Sequence, residues 1–94
     1  MHVDADTREL VVAGKHVPLT PLEFGVMNEL QRHEGKVVAR EALLQAVWGY
    51  KYTGGSNVVD TIVRSLRKKL GESSGALSTV RGFGYRLIQL RAEL

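Results

Sequence analysis

The sequence contains no cysteine among its 94 residues. This absence excludes a disulfide framework, a thiolate zinc site and a cysteine nucleophile, while it leaves the redox compartment open. Uninterrupted apolar runs are only a few residues long, far short of the roughly 20 that a membrane-spanning helix requires. The N-terminus has no basic segment leading into an apolar one, so we expect neither a signal peptide nor a membrane partner.

The sequence also lacks a recognisable catalytic or metal-binding constellation. The three histidines, His2, His16 and His33, are scattered along the chain, and none has a carboxylate or a second histidine at ligand spacing. Residues 82–84 (Gly-Phe-Gly) match no glycine-rich phosphate motif and fit a hairpin turn better. We therefore expect no enzyme activity, no metal and no cofactor.

Charged residues are plentiful but unevenly distributed. The chain is 44% hydrophobic and 24% charged, as in an ordinary single globular domain. Residues 1–47 contain five Lys/Arg and seven Asp/Glu, a net charge of −2, whereas residues 48–94 contain eight and three, a net charge of +5. A basic half with few acids is typical of a chain that binds a polyanion, most often nucleic acid. The alternative is a solvated basic face without a partner.

Short strands and two helices are predicted in the first half. Residues 8–19 indicate two strands around a turn at Gly14-Lys15, and His2-Val3 indicates the end of a further strand. Because so few strands make a weak sheet, either a first strand is missing from this chain or the C-terminal strands supply the edge. Thr20-Pro21-Leu22-Glu23 is a capping box that begins the first helix. The second helix runs from about Arg40 to Trp48.

The third predicted helix runs from about Asn57 to Leu70, with Ser56 as its N-cap, and has two distinct faces. Apolar residues recur at helical spacing and predict a buried stripe. Asp60 lies four residues before Arg64, a spacing that allows a side-chain pair. The apolar positions are Val59, Ile62, Val63, Leu66 and Leu70, and the opposite polar stripe is Asn57, Thr61, Arg64 and Lys68, flanked by Ser65 and Arg67.

A helix of this kind is typical of proteins that read the DNA major groove, which is wide enough for one helix. Arginine pairs with guanine, asparagine with adenine, and lysine attracts phosphate. An ordinary amphipathic surface helix is the alternative. After a polar loop at 71–77, the chain predicts a β-hairpin with a glycine turn. The whole pattern indicates a helix-turn-helix with a wing, in which Arg81 would reach a minor groove or a phosphate.

Six segments, in their order and spacing, resemble a known family. They are residues 19–24 (LTPLEF), 38–44, 47–49, 56–61, 66–70 and 79–87 (TVRGFGYRL). Over nearly its whole length the chain resembles the C-terminal winged-helix effector domain of OmpR/PhoB-type response regulators. The resemblance implies one α+β domain over residues 1–94, with N-terminal antiparallel strands, three helices and a C-terminal β-hairpin wing. The family's N-terminal sheet has four strands, so its first strand would be missing here.

The resemblance implies sequence-specific binding of double-stranded DNA by the output domain of a bacterial, cytoplasmic two-component transcription regulator. Residues 57–70 would enter the major groove, and the wing, residues 79–87, would lie at the minor groove or backbone. Relatives bind direct repeats as head-to-tail dimers, and an upstream receiver domain, addressed by a sensor kinase, lies outside these residues. RNA polymerase would contact the 49–55 loop through Tyr50, Lys51, Tyr52 and Thr53.

A winged helix that docks on RNA polymerase or on a receiver domain, with incidental DNA binding, is the alternative function. Such a module does not need the basic stripe of the third helix or Arg81 in the wing.

The family's DNA contacts carry over position by position, and several of them have a second interpretation. Trp48 contacts phosphate or only packs in the core, and Tyr85 is part core and part phosphate ligand. Arg67 contacts DNA or pairs with Asp60, which we expect to orient an arginine. Several relatives have a second arginine where this chain has Ser65, so the resemblance implies the mode of binding and not the operator sequence. The implied contacts are Trp48, Asn57, Val58, Thr61, Arg64, Ser65, Arg67, Lys68, Thr79, Arg81 and Tyr85.

Overall fold

A computed structural model describes residues 1–88. The predicted α+β winged-helix fold is confirmed, with three helices and short antiparallel strands. In chain order the elements are β1 (His2–Asp4), β2 (Glu9–Val12), β3 (Lys15–Pro18), α1 (Pro21–Arg32), β4 (Val37–Ala39), α2 (Arg40–Val47), α3 (Asn57–Leu70), a short 3₁₀ helix (Gly71–Ala76), β5 (Leu77–Val80) and β6 (Gly84–Leu87).

The N-terminal sheet has the strand order β1-β2-β3, so the predicted strand at His2-Val3 is present. The β2–β3 turn is centred on Ala13 and Gly14, which have φ values of +51° and +76°. Two consecutive positive φ values match the right-handed twist of the flanking strands. The predicted turn at Gly14-Lys15 is therefore one residue late, because Lys15 already pairs with Val12.

The C-terminal strands form a second sheet of order β4-β6-β5 and do not complete the first one. The idea that they supply the missing edge is therefore wrong. Val38 pairs with Tyr85 and Ala39 with Gly84, so the short extended segment after α1 is the third strand of the wing sheet. A Cβ on Gly84 would collide with the backbone of Val38 and Ala39. The glycine is what allows β4 to approach β6 so closely.

The helix boundaries follow the sequence signals, with two corrections. The capping box is present: the Thr20 hydroxyl accepts from the amide of Glu23 at 3.2 Å, and the Glu23 carboxylate accepts from the amide of Thr20 at 2.9 Å. Ser56 makes no side-chain cap on α3, because its backbone is already helical at φ −75° and ψ −4°. Residues 71–77 are not an open loop, since Gly71–Ala76 form a 3₁₀ helix that buries Ala76.

One hydrophobic core unites both sheets and all three helices. The apolar stripe of α3 is fully buried in it except for Ile62, which is partly exposed and packs against its edge. The wing sheet contributes Leu77, Tyr85 and Leu87 to the same core. Burial of this stripe fixes which side of α3 faces solvent.

Candidate nucleic-acid interface

The polar stripe of α3 lies on the surface. Its four residues, Asn57, Thr61, Arg64 and Lys68, are all exposed. The Thr61 hydroxyl donates to the carbonyl of Asn57 at 3.3 Å, which holds that side chain against the helix. Among residues 1–88, neither Arg64 nor Lys68 forms an ion pair. Both cations are therefore available to an anionic partner.

The tip of the wing is the turn between β5 and β6. Gly82 has a φ of +82°, a conformation that favours glycine. Arg81 is exposed beside it, and Phe83 leaves 70% of its surface in solvent. Phe83 was missed as a candidate contact, although its place between two turn glycines was a signal that neighbours would not cover it. A cation and an aromatic ring at one projecting turn suit contact with a nucleic-acid groove and backbone.

Asp60, in the first turn of α3, is a structural residue rather than part of the exposed stripe. Its carboxylate accepts two hydrogen bonds from Arg40, from Nε at 3.2 Å and from Nη2 at 2.5 Å. It also accepts a hydrogen bond from the hydroxyl of Tyr85 at 2.5 Å. The prediction that Asp60 orients an arginine is correct, but the arginine is Arg40 of α2 and not Arg64 or Arg67. Arg40 was missed because its partner is 20 residues away in the sequence.

Arg67 and Tyr85 face each other between α3 and the wing. Arg67 donates from Nε to the carbonyl of Leu77 at 3.0 Å and from Nη2 to the hydroxyl of Thr79 at 2.8 Å. Its guanidinium lies 5.8 Å from the centre of the Tyr85 ring. Tyr85 is only 6% exposed. Burial, together with the hydrogen bond to Asp60, raises the pKa of its hydroxyl.

These contacts change two of the predicted roles. The hydroxyl of Tyr85 is engaged inside the domain, so we remove Tyr85 from the candidate phosphate contacts. Arg67 holds β5, so we regard it as support for the wing. Thr79 is exposed at the edge of the wing and stays a candidate.

Ser65 faces α1 and not the polar stripe. Its hydroxyl lies 2.7 Å from Oε2 of Glu23 and 2.8 Å from the carbonyl of Ile62. Lys69 donates to Oε1 of the same carboxylate at 2.6 Å and to the carbonyl of Pro18 at 2.9 Å. Ser65 therefore ties α3 to α1, and we remove it from the candidate DNA contacts.

Glu23 is the buried charge at the centre of this contact, with only 4% of its surface exposed. Burial alone would raise the pKa of its carboxyl group, but the hydrogen bonds from Lys69, Thr20 and Ser65 outweigh burial. Together they lower the pKa from 4.5 to about 2. The carboxylate is therefore ionised and satisfied at neutral pH, and it fixes the start of α1 against α3.

The remaining candidates lie at the end of α2 and in the following loop. Trp48 is half-buried against the core, and its ring centre lies 6.4 Å from that of Tyr52. Val58 is also half-buried at the edge of the core. Tyr50 is 89% exposed, whereas the Tyr52 hydroxyl bonds back to the carbonyl of Gly55 at 3.4 Å. Lys51 and Thr53, the other two loop candidates, are exposed.

Neither a metal cluster nor a membrane helix is found in the part of the chain that the structure describes. Residues 1–88 contain no group of three or more His, Cys, Asp or Glu side chains that could hold a metal ion. None of the three helices has the length and apolar character needed to cross a membrane.

Known proteins match the chain in both sequence and fold. The family model described as "Transcriptional regulatory protein, C terminal" matches residues 14–87. The chain is 42% identical to the transcriptional regulatory protein CseB of Streptomyces coelicolor over 87 residues, which cover 93% of this chain and 36% of CseB. It matches the crystal structure of the DNA-binding domain of Bacillus subtilis CssR with a TM-score of 0.81 at 39% identity, covering 92% of this chain and 97% of that one.

A further match is the Klebsiella pneumoniae RstA DNA-binding domain, solved in complex with the RstA box. Its TM-score is 0.78 at 32% identity, and the match covers 92% of this chain and 88% of that one. The chain spans a little under two fifths of the length of the curated relatives, at 39% and 36% of the first two. These findings confirm the resemblance, and the chain belongs to the family of C-terminal winged-helix domains of OmpR/PhoB-type transcriptional regulatory proteins.

Proposed function

We propose that this domain binds double-stranded DNA sequence-specifically, as the output domain of a two-component response regulator. α3 enters the major groove, and the wing, residues 79–87, lies at the adjacent minor groove or backbone. The observation that carries the proposal is the polar stripe of α3, with Arg64 and Lys68 exposed and without an ion pair among residues 1–88. An exposed basic stripe on a helix whose other side is buried suits a groove lined by phosphates.

Each exposed side chain has a distinct role in this mode of binding. Arg64 can donate two hydrogen bonds to a guanine, and Asn57 can pair with an adenine. Thr61 is small enough to allow close approach, and Lys68 attracts phosphate. Arg81 of the wing suits a narrow minor groove, where the negative potential is enhanced. Trp48, Val58 and Thr79 remain secondary candidates at the rim of this surface.

The solved relatives support this proposal. The RstA domain was solved in complex with the RstA box, and it shares the fold of this chain at 32% identity. The AdeR DNA-binding domain, solved with an intercistronic region, matches with a TM-score of 0.80 at 30% identity. Neither complex gives the operator of this chain, because direct contacts depend on the residues that differ.

The further partners that we propose are partners of the whole protein and not of this domain alone. The chain covers only part of its longer relatives, which supports an upstream receiver domain in the whole protein. Phosphorylation of that domain by a cognate sensor kinase, a cytoplasmic location and binding to direct repeats are further parts of this proposal. The exposed loop with Tyr50, Lys51, Tyr52 and Thr53 is the candidate contact for RNA polymerase. We assign the domain no catalytic role.

Selection of bound duplexes from a random pool tests the proposal. We expect enrichment of one motif, and the spacing and orientation of its repeats would also be obtained. Binding should weaken as salt rises, because phosphate contacts release counterions.

The exposed Tyr50 favours a second candidate, a protein-interaction module that docks through the 49–55 loop. Absence of retention on random duplex at low salt, with no motif enriched, would reject DNA binding and favour that module.

A further inference from the structure

The wing is attached to α3 at both ends of the helix. Asp60 in the first turn of α3 bonds to Tyr85 of β6, and Arg67 in the last turn bonds to Leu77 and Thr79 of β5. The two α3 residues are seven positions apart, which corresponds to roughly 10 Å along the helix axis. Because the wing hairpin is held to α3 at these two separate points, it cannot swing about either attachment.

The first attachment is fully satisfied and partly shielded. Both oxygens of the Asp60 carboxylate accept hydrogen bonds from Arg40, and Oδ1 also accepts the Tyr85 hydroxyl. Arg40 is the first residue of α2, so the same carboxylate joins α2, α3 and β6. Bidentate pairing with a guanidinium restricts direction as well as distance.

The second attachment converges on the same tyrosine. Arg67 reaches a backbone carbonyl and a hydroxyl of β5, and its guanidinium also lies over the Tyr85 ring. Neither attachment involves the polar stripe of α3 or the exposed Arg81. The network therefore leaves Arg64 and Arg81 free while it fixes the elements that carry them, and of the candidate DNA contacts it uses only the hydroxyl of Thr79.

We propose that Asp60, Arg67 and Tyr85 are positioning residues that fix the angle between α3 and the wing, so that Arg64 and Arg81 meet DNA as one rigid unit. The inference rests on the proposed DNA binding and adds how its two contact elements are coupled. A fixed angle places Arg81 correctly before binding, so its contact with DNA costs no further ordering of the hairpin. A wing freed from α3 would lose much of the affinity that Arg81 supplies.

A double-mutant cycle on DNA affinity tests this coupling. Arg81→Ala is made in the wild-type chain and in Tyr85→Phe, which removes only the hydroxyl and keeps the buried ring. Affinity for the selected duplex is measured by fluorescence anisotropy. We expect Arg81→Ala to weaken binding roughly tenfold in the wild type and about threefold or less in Tyr85→Phe, because coupled residues are not additive.

Ser78→Ala is the matched control. It also deletes a hydroxyl of the wing sheet, but among residues 1–88 that hydroxyl bonds only within the hairpin, to the carbonyl of Arg86 at 3.3 Å. The Arg81→Ala effect should remain roughly tenfold in this background. Arg67→Lys repeats the cycle at the second attachment, because a lysine cannot reach both β5 acceptors in the same geometry. If thermal unfolding shows that Tyr85→Phe folds poorly, the Arg67→Lys cycle tests the coupling on its own.

The possible results separate the two proposals. An equal effect of Arg81→Ala in all backgrounds overturns the coupling and leaves DNA binding intact. No effect of Arg81→Ala in the wild type also overturns it, since the wing then contributes nothing to be positioned. A wild-type chain that enriches no duplex rejects the proposed function itself.

Discussion

Two arginines of α3, three positions apart, have the same chemistry and opposite surroundings. Arg64 is exposed and has no ion pair among residues 1–88. Arg67 is half-buried and donates two hydrogen bonds to β5. A guanidinium that is already bonded must break those bonds before it binds a base, and the free energy of doing so reduces any gain from the contact. We therefore assign base reading to Arg64 and support of the wing to Arg67.

Arg64→Ala should weaken binding to the selected duplex by about 1–3 kcal/mol and relax the preference at one base position, because a bidentate base contact is lost. Binding to random duplex should weaken less, since only one charge is removed. Anisotropy titrations of both duplexes measure this difference.

Arg32→Ala is the control for the loss of a charge. Arg32 is exposed at the end of α1 and pairs only with Glu29 among the described residues, so both affinities should stay close to wild type. An unchanged ratio of selected to random binding in Arg64→Ala would contradict its role as a base reader.

At the scale of elements, buried polar contacts fix how the helices meet. Glu23 lies in the first turn of α1, and its carboxylate bonds to the amide of Thr20 and to Lys69 and Ser65 of α3, so it sets both a helix cap and a helix–helix contact. Glu23 as a whole is only 4% exposed. Removal of either partner would leave a buried polar group without its bonds, which is costly. The orientation of the polar stripe therefore depends on a contact buried between α1 and α3, away from the exposed stripe itself.

Glu23 should make the stability of the domain depend on pH in the acid range. The pKa of Glu23 is about 2 in the folded chain against 4.5 for the free group. As the pH falls, the unfolded chain therefore takes up a proton at a higher pH than the folded chain does. This contribution is fully present above about pH 5 and is lost as pH falls towards 2. Its size is roughly 3 kcal/mol at neutral pH. Glu23→Gln should therefore unfold more easily in urea at pH 7 and lose less stability between pH 5 and 2.

Glu34→Gln removes an exposed carboxylate just beyond the same helix and is the comparison for this experiment. It should change stability at pH 7 by less than about 0.5 kcal/mol. Parallel acid profiles of the wild type and Glu23→Gln would show that Glu23 is not the group responsible.

The wing sheet depends on close packing of backbone at Gly84. A Cβ there would collide with the carbonyl oxygen of Val38 and approach the Cα of Ala39 to 2.9 Å. Gly84→Ala should therefore separate β4 from β6 and destabilise the domain by about 1–3 kcal/mol, as overpacking does. Thermal and urea unfolding measure the effect. Gly75→Ala, at a position with nothing within 4 Å, should change stability little.

The sequence predicted the local features of these elements and missed the long-range ones. Helical spacing identified the buried stripe and the polar stripe of α3, because periodicity alone decides which face is apolar. The capping box at Thr20 is likewise a local pattern. The Asp60–Arg40 and Glu23–Ser65 contacts join residues 20 and 42 positions apart. Such pairs depend on how the elements pack, so Ser65 and Tyr85 were assigned to DNA although their hydroxyls bond inside the domain.

At the scale of the whole molecule, charge separates scaffold from binding surface. Residues 1–47 carry a net charge of −2 and residues 48–94 a net charge of +5. Much of the scaffold comes from the first half, whereas the polar stripe and Arg81 come from the second. A localised positive field steers a polyanion to one face, which overall charge cannot do. The small total of +3 therefore understates the attraction at that face.

The salt dependence of DNA binding distinguishes a local field from overall charge. Lys68→Ala and Lys36→Ala each remove one exposed lysine and lower the formal net charge from +3 to +2. Lys68 lies on the polar stripe of α3, whereas Lys36 precedes β4 in the acidic half. If Lys68 contacts one phosphate, its loss should reduce the slope of log affinity against log salt by about 0.9, because one counterion fewer is released. Lys36→Ala should leave that slope unchanged, and anisotropy titrations at several salt concentrations measure both. Equal slopes in the two variants would mean that overall charge, and not the exposed face of α3, attracts the DNA.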